Sequence, residues 1–289
     1  MRKATIAMKR TWSIGERIFR DNFSRRMKAF DSLVGSVALY GAEVWGWQEE
    51  GRLDEIKRRY VKWILKLDRN TPNYMLIEET KMKELRIQAI RRAIKYEEKV
   101  NSSKKKLIKE CIKDLERTRP RREEGGWEKK RRELLEKAGS NKERTRENRE
   151  GEDKETTEKI MERIERKDKE DRIRKINESN YNKEFKRIRT EETPKYLKGN
   201  KKKKDRELIA RFRCGNETKG RQYWTEGEDR RCRLCGGEEE NLSHIIDECG
   251  ATRNELTIEE FLEEEGRGLE EMKKIDRLRK DIVKETEKV

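Results

Sequence analysis

The chain has 289 residues, with 77 Lys and Arg against 61 Asp and Glu, a net charge of +16. Only 31% of the residues are hydrophobic and 48% are charged, which excludes a densely packed enzyme core running through the whole length. No apolar run reaches the roughly 18–20 residues that cross a bilayer, and no apolar stretch follows the basic start to make a secretory leader.

A mainly α protein is expected. Residues 1–100 read as a small helical domain of at least three helices. Leu33, Val34, Val37, Ala38, Leu39 and Tyr40 form a dense apolar run. Leu53, Ile56, Tyr60, Trp63, Ile64 and Leu67 then recur at three- and four-residue steps, one face of a helix. Asn70-Thr71-Pro72-Asn73 ends it in a turn, and Leu85, Ala89, Ala93, Ile94 and Tyr96 mark the next helix. Trp45, Trp47, Tyr60 and Trp63 are expected in the core. Residues 101–176 are dominated by Lys, Arg and Glu, with Ile160, Ile164, Ile173 and Ile176 set among charges. They read as a long, solvated helical linker or a partly disordered spacer. Residues 177–256 bring aromatics back around a lysine run, Lys201–Lys204, and residues 257–289 read as two charged helices. Thr257 with Glu260 three residues later predicts a capping box at the first of them.

The sharpest chemistry is Cys232-Arg-Leu-Cys235, followed by His244 and Cys249. Three thiolates and one imidazole are a tetrahedral zinc set, and with every corner filled by protein the expected ion is one structural zinc. Gly236-Gly237 supplies the backbone freedom for the turn back onto the ion. His244 is the only histidine of the chain. Five cysteines without an export signal point to a reducing compartment, nucleus or cytoplasm. Cys111 and Cys214 read as ordinary small apolar residues.

The metal stretch itself is acidic, with 16 acidic and five basic residues between Thr225 and Glu271. The better phosphate grip lies ahead of it, in Lys198, Lys201, Lys202, Lys203, Lys204, Arg206, Arg211 and Arg213, interleaved with Tyr196, Phe212, Tyr223 and Trp224. Cations beside aromatic platforms suit single-stranded nucleic acid. The alternative is that the aromatics are core and the lysines solvated. RNA or DNA is the expected partner, with no membrane and no small-molecule substrate, and self-association stays open.

Catalysis is not expected. There is no Asp-Asp pair, no phosphate-binding loop ending in Lys-Ser or Lys-Thr, and the one histidine is taken by the metal set.

Two blocks carry a resemblance. Leu33 to Trp47, with Arg59 to Tyr74 after it, resembles the segment downstream of the polymerase palm in non-LTR (LINE-like) retrotransposon reverse transcriptases. Ile209-Ala210-Arg211-Phe212-Arg213-Cys214-Gly215-Asn216-Glu217, then Tyr223-Trp224 and the Cys232, Cys235, His244, Cys249 knuckle, resembles the carboxy-terminal zinc-binding region of the same polyproteins. The resemblance implies thumb-like helices that hold a template–primer duplex and a knuckle that binds nucleic acid. The palm carboxylates and the endonuclease are missing, so it implies a non-catalytic tail of such a polyprotein. The competing readings are a charged helical interaction scaffold, in which the zinc module is only a brace, and a decayed relic.

Overall fold

Apolar residues at three- and four-residue steps decide the helices. The computed structural model describes residues 2–48, 51–118, 126–139, 156–221 and 230–286. The protein is mainly α, and among the described residues the only β pairing is an isolated bridge, Arg231 with Glu239. In chain order the helices are α1 (Arg2–Ile18), α2 (Phe23–Ala38), α3 (Ala42–Trp45), α4 (Gly51–Leu65), α5 (Asn73–Thr80), α6 (Leu85–Asn101), α7 (Lys106–Thr118), α8 (Gly126–Lys137) and α9 (Thr157–Glu178). They continue as α10 (Phe185–Ile188), α11 (Lys203–Arg213), α12 (Ile258–Phe261) and α13 (Leu269–Thr286). The capping box at α12 is present: the Thr257 side chain accepts from the Glu260 N–H, and Glu260 accepts from the Thr257 N–H.

The chain divides into two units. The first comprises Met1–Ala7, Leu33–Lys57 and Lys83–Asp171; the second comprises Met8–Ser32, Arg58–Met82 and Arg172–Val289.

In the first unit, Trp47 joins Ile87, Ile90, Ala93 and Ile94 of α6 in one core. Leu134 and Leu135 of α8, Ala138 just beyond it, and Ile160, Met161 and Ile164 of α9 complete that core. These six lie in the stretch expected to be solvated, so part of it is packed. The reason is the helical period: a few apolar residues three or four apart make a stripe wide enough to bury, whatever the charge between them. Arg91 of α6 and Glu165 of α9 then pair across that seam at 3.0 Å. Gly46 lets α3 lie against α6, because a Cβ there would sit 2.3 Å from the Ala89 carbonyl oxygen.

The second unit is held around a buried ion pair. Arg213, at the end of α11, and Glu79 of α5 are both essentially inaccessible. Arg213 donates to both Glu79 oxygens, at 2.6 and 3.1 Å, and to the carbonyls of Ile188 and Leu262. Tyr196 Oη donates to the same carboxylate at 2.7 Å. The buried charge is therefore paired and saturated with hydrogen bonds, the condition under which such a pair is tolerated.

Two expectations are corrected here. Trp63 is 40% exposed, unlike buried Trp47 and Tyr60, because its position on α4 falls outside the stripe of Tyr60, Val61, Ile64 and Leu65. Leu33, Val37 and Tyr40 of the apolar run are also exposed, and only Val34 and Leu39 are buried.

Candidate metal centre and cationic face

The metal loop is built by backbone geometry. Cys232 donates its N–H to the Glu238 carbonyl at 2.9 Å, and the Gly236 N–H returns to the Cys232 carbonyl at 2.8 Å. Gly236 has φ +68°, a left-handed conformation that favours glycine. His244 and Cys249 come from one π-helical turn, His244–Glu248, closed by the Cys249 N–H on the His244 carbonyl at 2.6 Å. A separation of five residues suits that wider turn.

The four side chains converge. Their ligand atoms all lie within 4.8 Å of one another, with Cys232 Sγ 3.9 Å from Cys249 Sγ and Cys235 Sγ 3.3 Å from His244 Nε2. A tetrahedral ion bonded to sulfur at about 2.3 Å and to nitrogen at about 2.05 Å requires roughly 3.8 Å between sulfurs and 3.6 Å from sulfur to nitrogen. The cluster fits, and it can hold a metal ion. His244 Nδ1 is buried and lies 3.5 Å from a Glu248 carboxylate oxygen without a hydrogen bond to it; a carboxylate is a usual second partner of a ligating imidazole. Burial raises Cys249, but the Ala251 N–H and the Thr252 hydroxyl outweigh it and bring the thiol to about 7. Cys232 is pushed to about 11, chiefly by burial. Cys214 is buried and outside the cluster, as expected; Cys111 is exposed.

The basic residues ahead of the loop have divided roles. Arg213 and Arg206 are corrected: both are buried, so neither is a surface grip on phosphate. Arg213 serves Glu79, and Arg206 donates to the Arg20 carbonyl at 2.9 Å. Arg211 is committed to Glu217, Lys198 pairs with Glu192 at 2.9 Å, and Lys201 donates to the Glu265 carbonyl at 2.9 Å. Tyr196 and Phe212 are also corrected: both are fully buried and offer no platform for a base. Tyr223 and Trp224 lie outside the described residues.

Lys203 ties α11 to the turn between α1 and α2. Its N–H donates to Asp21 at 2.8 Å and its Nζ to Glu16 at 2.6 Å, while the other Glu16 oxygen takes Arg26 at 2.6 Å. Asn22 bonds Asn200 at 2.6 Å in the same contact. These bonds tie the stretch that carries Lys202 and Lys204 to the turn that is flanked by Arg17, Arg20 and Arg25. All five are exposed, and none has an ion-pair partner among the described residues. The three arginines were not singled out in the sequence. The available signal was the bias of the first helix, six basic residues and one acidic between Arg2 and Arg20.

No helix of the described residues is long and apolar enough to cross a membrane. Comparison with protein-family models, with curated proteins and with solved structures finds no match to the chain.

Proposed function

We propose that this chain is a non-catalytic nucleic-acid-binding protein. It grips the phosphate backbone through the cationic face of its second unit and uses one zinc ion to hold its C-terminal module. The observation that carries the reading is that Arg17, Arg20, Arg25, Lys202 and Lys204, on segments tied together through Asn22–Asn200 and Asp21–Lys203, are five exposed cations without acidic partners among the described residues. Five such cations attract phosphate by charge. With Tyr196 and Phe212 in the core, neither serves as a platform for a base, and the exposed cations contact the backbone.

Zinc is the ion of choice for three thiolates and an imidazole at tetrahedral spacing. All four positions belong to the protein, which makes the site structural. When bound, the ion supplies fold rather than reactivity: it fixes the Cys232–Cys249 loop against the rest of the module. The resemblance to the carboxy-terminal part of non-LTR retrotransposon polyproteins agrees with both halves of this reading.

The test is a salt titration of binding to a labelled single-stranded RNA and to a matched DNA duplex, with zinc-loaded and zinc-stripped protein. Affinity that falls steeply with salt supports the reading, and no binding at low salt refutes it. A second reading, the interaction scaffold, draws on Leu33, Val37, Tyr40 and Val44, exposed on α2 and the turn through α3. It predicts a homo-oligomer in solution without nucleic-acid affinity.

A further inference from the structure

The residue after the first cysteine ligand is Arg233, and it reaches out of the metal loop. Its backbone N–H and its Nε donate to the Glu240 carboxylate, at 2.8 and 2.9 Å. Its Nη2 donates to the Glu217 carbonyl at 2.7 Å. Glu240 is fully buried. Its other oxygen accepts from Arg279 Nη2 at 3.0 Å, and Arg279 Nη1 donates to Glu217 at 2.8 Å. One buried carboxylate is thus shared between an arginine of the metal loop and an arginine of α13.

Arg279 is also the last residue of α13 to be buried; Met272 and Ile275 anchor the first half of the helix, and Val283 is exposed. In the second half of α13 the buried guanidinium of Arg279 stands 6.0 Å from the centre of the Phe212 ring, with Leu278 and Ile282 half-buried beside it in sequence. Glu240 in turn stands on the hairpin that presents Cys232 and Cys235, through the Cys232 N–H to Glu238 and the Glu240 N–H to the Arg230 carbonyl.

We infer that the metal centre is a latch for α13: an ion held by Cys232, Cys235, His244 and Cys249 keeps the C-terminal helix docked, and loss of the ion releases it. The inference rests on the zinc reading above. Without the ion the thiols no longer hold the hairpin against His244 and Cys249. Glu240 then loses its fixed position, and Arg279 keeps only Glu217 as an acceptor, so a buried guanidinium is left with half of its charged partners and docking weakens.

The experiment uses the full chain and reads bound zinc and amide hydrogen exchange separately. The expected result is one zinc per chain. Chelation accelerates exchange in residues 269–286 by about tenfold or more and leaves residues 85–101 unchanged. Arg279→Gln does the same to α13 in zinc-loaded protein. Because coupling between two equilibria is reciprocal, a variant that undocks α13 also weakens zinc binding, by at most the factor by which zinc favours docking. Arg277→Gln, an exposed change on the same helix, moves neither. If Arg279→Gln also exposes residues 73–80 of α5, the second unit has failed to fold, and the chelation arm on the unaltered chain decides. One bound zinc with α13 exchange indifferent to chelation overturns the latch and leaves the zinc reading standing. No zinc bound at all overturns both.

Discussion

Removing Arg17, Arg20 and Arg25 together tests the cationic face most directly. Five exposed cations contact phosphate in this reading, and each neutralised phosphate of a duplex contributes about −0.9 to the slope of log affinity against log salt. The chain should therefore show a slope of about −4.5, so that raising salt from 50 to 200 mM weakens binding about 500-fold. Replacing the three arginines by alanine leaves Lys202 and Lys204 and should bring the slope to about −1.8, where the same salt step costs only about twelvefold. The substitutions take away exposed side chains that pair with nothing among the described residues, so stability should move by no more than about 0.5 kcal/mol each. Fluorescence anisotropy of a labelled duplex across a salt series measures the slope, and thermal unfolding checks the fold. A triple variant that keeps a slope near −4 refutes the assignment of the face.

Three further outcomes follow from the packing. Glu79→Gln strands Arg213 as a buried charge without a counter-ion, and the chain should lose about 3–5 kcal/mol in denaturant unfolding; a loss below about 1 kcal/mol would show that the pair is not the centre of its unit. Gly46→Ala places a methyl 2.3 Å from the Ala89 carbonyl oxygen, backbone that cannot rotate away, and should cost about 1–3 kcal/mol, visible as early exchange in α6. Burial works against ionisation of Glu16, but Lys203 and Arg26 outweigh it and hold its carboxyl below the ordinary range. Such a group adds stability above its unfolded value of about 4.3, and that stability is lost as pH falls through the lower folded value. Urea midpoints should thus fall between pH 5 and 3 less steeply in Glu16→Gln than in the unaltered chain, and equal slopes would contradict this role for Glu16.

The cluster that could hold a metal was legible because chemistry fixes its spacing: a two-residue gap and a four-residue gap are local, and local geometry survives in sequence. The helices were legible for the same reason, as was the Thr257–Glu260 cap. What the sequence hid is long-range. An arginine inside a basic run looks the same whether it faces water, as Arg25 does, or a carboxylate far away in the chain, as Arg213 does with Glu79. A weak sign was present in Glu78-Glu79-Thr80, two acids directly after the apolar Met75-Leu76-Ile77, where a charge entering a core needs a partner. The cationic face was hidden likewise, since its halves stand some 180 residues apart and meet through Asn22 and Asn200. The packing of Ile160 and Ile164 was hidden by composition, because the charges between them outweigh the stripe they make.

The second unit draws on three separated stretches, and this bears on its birth. Arg213 follows Glu79 by 134 positions. At roughly 5–20 residues per second, the ribosome adds them over about 7–27 s, during which the carboxylate has no arginine to receive it. The early helices of that unit, 8–32 and 58–82, must wait for the last third of the chain, with apolar faces uncovered in the meantime. The first unit, too, finishes only after α9 is made. A chain assembled in this order completes its second unit late, and a nascent form halted before Arg213 is expected to aggregate rather than to persist as a stable half.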